Sequence, residues 1–326
     1  MDNERHAYSV PELMREQFVT GDGFAQRLSQ ATGWSVFSHR PIYTDPLVIH
    51  QPWLRAPSQR LYTDRAFYHL FAEQSFRSVL RLLLARDRVT HEDLLRACWP
   101  PERQADYLAF LHDQDMLLQS KDSYLKGPAL LPIHDLGHTL EAWVAEWLRR
   151  FAALRGLRLT YPPGCIPVRH GVQATELVGA GDPGDLDVVA LFPHGLILVE
   201  CKSSLLQVDL AAWQRFAWRV AFLEPAGALW LIDTPDAQSS KAFRAVQRRL
   251  LRWNFTEEAP GRETIRVFRH TGPFRATSPT GHTLVRQAGT IYAALVGQEH
   301  SLEETLETIL QRIVQAREEG VFPAEA

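Results

Sequence analysis

Three charged residues of this chain, Asp187, Glu200 and Lys202, are attached to apolar runs where charge is costly. Gly184-Asp185-Leu186-Asp187-Val188-Val189-Ala190-Leu191 and Leu196-Ile197-Leu198-Val199-Glu200-Cys201-Lys202 both read as strands, rich in β-branched and aliphatic residues, with a turn at Pro193 to Gly195 between them. Side chains alternate along a strand, so Glu200 and Lys202 share one face, and Asp185 and Asp187 share a face of the neighbour. Asp185 lies nearer the loop and ranks second to Asp187. Acidic groups therefore converge across adjacent strands, at a cost unless they pair or hold a cation. The carboxylates of Asp187 and Glu200, the backbone carbonyl of Cys201 and water suit Mg2+ or Mn2+, which take oxygen ligands. Such an ion lowers the pKa of bound water and neutralises charge developing on a phosphodiester. Lys202 is placed to orient the attacking water or to steady the transition state. The same residues admit a plainer account, with Glu200 and Lys202 as a same-face ion pair and Asp187 as a strand-entry residue.

The elements around these strands alternate helix and strand. Leu140, Trp143, Val144, Trp147 and Leu148 make an amphipathic helix, with Glu141 beside that stripe. After Lys202 come a helix (Asp209 to Leu223), a strand (Ala228 to Asp233) and a helix (Ser240 to Trp253), which complete an α/β layer. On the last helix Lys241, Arg244, Arg248 and Arg252 recur at helical spacing opposite Phe243, Val246 and Leu250. That basic stripe is either a phosphate-binding face or a solvated one.

Taken together, Gly184 to Val189 and Leu198-Val199-Glu200-Cys201-Lys202 resemble the PD-(D/E)XK motif of the restriction-endonuclease-like superfamily: an acidic residue, a variable gap, then Glu-X-Lys. Gly137-His138-Thr139-Leu140-Glu141 looks like the helix acid that completes the set in Holliday-junction resolvases. Gln214-Arg215-Phe216-Ala217-Trp218 is similar to the Gln-X-X-X-Tyr motif of RecB-like members, with Trp in place of Tyr. The resemblance covers residues 137 to about 235. It implies a metal-dependent nuclease whose catalytic residues are Asp187, Glu200, Lys202, Glu141 and Gln214. Mg2+ or Mn2+ would be held by Asp187, Glu200, Glu141 and the Cys201 carbonyl.

The flanks suggest further units. Residues 1–65 show no long period. Over 66–130, Phe76, Val79, Leu80, Leu83 and Leu84 mark one helix, Thr90 caps a second with Asp93 three residues on, and a third follows Pro100-Pro101. Met116 to Leu118 and Tyr124-Leu125, around a polar turn, read as a two-stranded wing. Three helices and a wing resemble a winged helix-turn-helix domain, but its third helix offers Glu102, Arg103, Asp106, Asp113 and Asp115, a charge that repels phosphates. The domain type thus points to packing on the core or to a homodimer contact rather than to reading DNA. The nuclease-like domain spans 131–258. Residues 259–326 form a small α+β region. Its Gly289 to Gly320 stretch, ending in a helical pair, weakly resembles PqqD-like peptide-binding domains.

The expected architecture is α/β: a restriction-endonuclease-like core with a mixed central sheet flanked by helices, a winged-helix-like domain before it and an α+β region after it. The chain has 326 residues, 45% of them hydrophobic and 22% charged, enough apolar content for two or three folded domains. With 35 Lys+Arg against 38 Asp+Glu, a grip on nucleic acid must come from a local patch. Three scattered cysteines form no zinc motif or disulfide framework and fit a reducing cytoplasm. No apolar run reaches the roughly 20 residues that span a bilayer. Two functions follow as expectations: a nuclease acting on DNA ahead of RNA, in recombination, repair or defence, or a non-catalytic protein- or peptide-binding adaptor on a nuclease-like scaffold.

Overall fold

The computed structural model describes residues 35–38, 65–98, 100–130, 136–154, 168–175, 184–192, 195–235, 240–258, 266–277, 283–286, 290–297 and 301–318. Strand β1 (Ser35–Ser38) comes first. Next are helices α1 (Arg65–Ala72) and α2 (Gln74–Ala85), strand β2 (Arg88–Thr90), helices α3 (His91–Ala97) and α4 (Gln104–Asp113), and strands β3 (Leu117–Ser120) and β4 (Ser123–Lys126). Helix α2 forms where the apolar spacing predicts, burying Phe76, Val79, Leu80 and Leu83. Burying each such side chain stabilises by about 1.5–3 kcal/mol, far more than intrinsic helix propensities of tenths of a kcal/mol per residue. Thr90 caps α3 in a reciprocal box: its Oγ1 accepts from the Asp93 N–H at 3.1 Å, and the Asp93 carboxylate accepts from the Thr90 N–H at 3.2 Å. Thr90 also ends β2, which the sequence reading lacks. With Val89 its one buried side chain, β2 has no period to read. β2, β4 and β3 make a three-stranded antiparallel sheet.

The larger layer contains helix α5 (Gly137–Leu154), strands β5 (Val168–Thr175), β6 (Gly184–Phe192) and β7 (Gly195–Lys202), helix α6 (Leu210–Leu223), strand β8 (Gly227–Asp233) and helix α7 (Lys241–Arg252). Strands β9 (Phe255–Glu257), β10 (Arg266–His270), β11 (Phe274–Thr277), β12 (Thr283–Arg286) and β13 (Ile291–Val296) follow, then helix α8 (Leu302–Glu318). Eight strands form one sheet in the order β1-β5-β6-β7-β8-β13-β10-β9. β7, β8 and β13 run parallel, and the other pairings are antiparallel. The protein is thus α/β, with a mixed sheet flanked by helices. Alternation splits the sheet between two cores. Val199, Cys201, Leu229, Leu231, Ala294 and Val296 pack with the helices from α1 to α5 and with α8. Leu198, Trp230, Ile232, Ala293 and Leu295 pack with α6 and α7.

The C-terminal region differs from expectation. Residues 266–270 and 291–296, assigned by sequence to a unit beginning at 259, are strands of the main sheet, so that boundary falls inside it. Ile291 to Val296, in the stretch likened to domains that end in a helical pair, is β13, buried along its whole length between β8 and β10. A short continuous apolar run has no period to separate a buried parallel strand from a helix turn, and burial on both faces selects the strand.

The 66–130 segment is tied to the sheet by buried polar contacts. Trp143 on α5 donates its indole N–H to the Tyr68 carbonyl at 2.9 Å and stacks on the Tyr68 ring. Arg77 on α2 bonds Asp233 at the end of β8 through Nε at 2.8 Å and Nη2 at 3.0 Å, while its Nη1 reaches the Phe71 and Ala72 carbonyls. Arg81 adds a second ion pair to Asp233. Burial pushes the Asp233 carboxyl up, and Arg77 and Arg81 more than reverse it, holding it below the usual carboxylate range. Removing Arg77 leaves Asp233 with Arg81 as its remaining cation and takes the partner from the buried Phe71 and Ala72 carbonyls. Arg77→Met is therefore expected to lower the unfolding free energy by about 3–5 kcal/mol in urea denaturation, and a loss under about 1 kcal/mol contradicts this role.

Candidate active site

β6 and β7 pair from Phe192↔Gly195 to Val188↔Val199, and there the ladder stops. Beyond that point β6 stays on β5 as far as Gly184, and β7 stays on β8 as far as Lys202. The two strands part at Asp187 and Glu200, the next residues in line. Side chains replace the missing ladder. Asp187 Oδ2 accepts the Cys201 N–H at 2.8 Å, which satisfies a buried backbone donor that β6 no longer serves. Lys202 Nζ lies 2.7 Å from Glu200 Oε1 and 3.6 Å from Asp187 Oδ2. Arg219 of α6 donates from Nη1 to Glu200 Oε2. Asp187, Glu200, Phe216 and Arg219 line a small cleft with Leu198 and Val199.

Asp187, Glu200 and Arg219 are all nine-tenths buried or more, and Lys202 is the most open of the four. Burial first, and the Glu200 carboxylate second, push the Asp187 carboxyl up to about 7, against the pull of Lys202, the Cys201 N–H and Arg219. Burial pulls the Lys202 ammonium down, but Glu200 and Asp187 together leave it above its ordinary value. The Cys201 thiol is raised by burial, then by the charges of Asp187 and Glu141.

The sequence-predicted residues divide on this geometry. Asp187, Glu200 and Lys202 come together at the parting of the strands. Glu141 is buried on α5, close enough to act on the Cys201 thiol, whose side chain packs in the α5-side core opposite Arg219. Gln214 does not join them. On α6 the inward positions are Trp213, Phe216, Ala217 and Val220, which turn Gln214 out to solvent. The Asp185 side chain lies outside the described residues. Arg219 was missed, although a signal existed: a lone cation inside the apolar run Trp218-Arg219-Val220-Ala221-Phe222-Leu223 needs a buried partner. Lys241, Arg244, Arg248 and Arg252 all stand exposed on α7. That helix packs on the Glu200 and Arg219 side of the sheet, and its Arg249 bonds the Val208 carbonyl at 2.7 Å, six residues past Lys202.

Among the described residues, no three His, Cys, Asp or Glu side chains stand gathered as a ready-made metal cage. The donor chemistry nevertheless fits a hard divalent cation: the carboxylates of Asp187 and Glu200, both within reach of Lys202, stand together where β6 and β7 part. Cys98 and Cys201 are buried free thiols, and no described helix is long and apolar enough to cross a membrane.

The chain matches no protein-family model and no curated protein. Among solved structures it is similar to the crystal structure of protein VC1899 from Vibrio cholerae, at 14% identity and a TM-score of 0.44. The match covers 89% of this chain and spans 60% of that protein's length, and a likeness this loose says nothing about activity.

The raised Asp187 carboxyl sets a pH dependence. Between its ordinary 3.8 and about 7, the folded protein keeps a proton that the unfolded chain has released, so metal-free stability falls as pH rises through that window. Thermal melts in EDTA are expected to show this fall in the wild type and to lose it in Asp187→Asn. An equal slope in both proteins contradicts the assignment.

Proposed function

We propose that this protein is a metal-dependent nuclease that hydrolyses phosphodiester bonds, of DNA ahead of RNA, in recombination, repair or defence. In this reading the sheet is a restriction-endonuclease-like core and residues 66–130 are a winged-helix-like module fastened to it. The observation that carries the reading is the meeting of Asp187, Glu200 and Lys202 where β6 and β7 part. Asp187 and Glu200 would hold Mg2+ or Mn2+, with the Cys201 carbonyl beside them, while Glu141, buried on the α5 side next to the Cys201 thiol, is not gathered with them. When bound, the ion supplies an acidified water and positive charge for the phosphoryl oxygens. Lys202 has the most open side chain of the cluster and is tethered at 2.7 Å from Glu200, so its ammonium faces the incoming phosphate and steadies the charge that develops there. The exposed Lys241, Arg244, Arg248 and Arg252 give the nucleic-acid backbone a basic track on the same side of the sheet.

One observation favours a second reading. Both oxygens of Glu200 are taken by cations of the chain itself, as in a non-catalytic scaffold that presents its modules to a protein or peptide partner. Labelled single-stranded, duplex and branched DNA and RNA, incubated with Mg2+, Mn2+ or EDTA, separate the two. The nuclease reading expects metal-dependent cleavage that drops by at least about 100-fold in Glu200→Ala and Lys202→Ala. Cleavage that survives either substitution overturns the site, and no cleavage of any substrate favours the scaffold.

A further inference from the structure

The Glu200 carboxylate holds two cations, one on each oxygen, in a cluster with Asp187. Lys202 sits on Oε1 at 2.7 Å and Arg219 on Oε2, and neither is exposed enough for the pairing to be a surface accident. A buried ion pair is a poor source of net stability, because desolvation of the charges offsets their attraction. Two carboxylates and two cations buried together carry that cost several times over, and Arg219 brings its charge onto an otherwise apolar face of α6 among Phe216, Trp218 and Val220.

We propose that Arg219 is a displaceable ligand of Glu200 that passes to the substrate: it holds Oε2 while no divalent cation is bound, gives that oxygen up to the cation, and then binds a phosphate oxygen of the nucleic-acid strand. This rests on the nuclease reading above. A divalent cation on Oε2 would meet the Arg219 guanidinium at close range in a buried site, and the like charges repel, so one of the two cations on Glu200 is driven off. Lys202 is on the same strand two residues away and also reaches Asp187 at 3.6 Å, so it stays at the cluster when Glu200 rotates. Arg219 comes from a different element, on the wall of the cleft that Asp187 and Glu200 line. Its planar guanidinium suits two oxygens of a phosphate better than an ammonium does and loses less hydration on the exchange. The arrangement would guard the site: without metal, Glu200 stays neutralised and the phosphate ligand stays withheld.

The test is calorimetric titration of the metal-free full-length protein with Mn2+ alone, in wild type, Arg219→Ala and Arg219→Lys, beside cleavage of the best substrate at saturating Mn2+. Displacement predicts that Arg219→Ala binds Mn2+ about tenfold more tightly than wild type yet cleaves about 100-fold more slowly, with Arg219→Lys between the two on both measures. Should Arg219→Ala fail to fold, the same opposed changes in Arg219→Lys carry the test. Mn2+ binding that is unchanged or weaker in a folded Arg219 variant, with wild-type cleavage intact, overturns this inference alone. Neither Mn2+ binding nor cleavage in any of the proteins overturns the nuclease reading and this inference with it.

Discussion

A sheet that opens in its middle is the constraint on which the rest depends. β6 and β7 pair tightly through five residue pairs and then separate, leaving backbone donors and acceptors inside the protein with no ladder to join. Such an opening survives because each strand has another neighbour: β5 holds β6, and β8 holds β7. It also survives because charged side chains fill it. The Asp187 carboxylate takes the Cys201 N–H, and Glu200 and Lys202 neutralise one another beside it. Four ionisable groups within a few ångströms, nearly all buried, are unfavourable for stability, and functional sites and structural ion-pair networks both carry such clusters.

The surroundings hold that opening still. β7, β8 and β13 are parallel, and the carboxyl ends of parallel strands are where α/β sheets place their ligands. Lys202 and Asp233 end adjacent strands, since Lys202 lies opposite Ile232. The helical module grips that same end through Arg77 and Arg81, and Gln74 bonds the Thr234 carbonyl at 3.2 Å. The module, which lies in sequence between β1 and the other strands of the sheet, is thus fastened one strand away from the candidate catalytic strand. Its acidic helix α4 makes a poor DNA reader, and its buried contacts are those of a support.

Much of this was legible in the sequence, for identifiable reasons. Alternation placed Glu200 and Lys202 on one face, and the apolar runs around them were long enough to read as a hairpin. The Thr90 cap and the α2 stripe were local signals, and local structure follows them. What could not be read were the long-range partners. Arg77 and Asp233 lie 156 residues apart, and nothing in either neighbourhood names the other. Gln214 was assigned to the site by resemblance, yet the burial of Trp213 and Phe216 turns it outward. Arg219, five residues on, sits where the helix faces the cleft. The six apolar residues of β13 carry no period, and its place in the sheet is set by strands far away in sequence.

The central claim is that Asp187 and Glu200 together bind a divalent cation at the opening of the sheet. Anomalous diffraction at the manganese edge, from crystals soaked in Mn2+, tests it most directly. The account predicts one strong peak within coordination distance, about 2.0–2.3 Å, of a carboxylate oxygen of each residue. Full Mn2+ soaking with no peak at that position, while Glu200 still holds both Lys202 and Arg219, would contradict it.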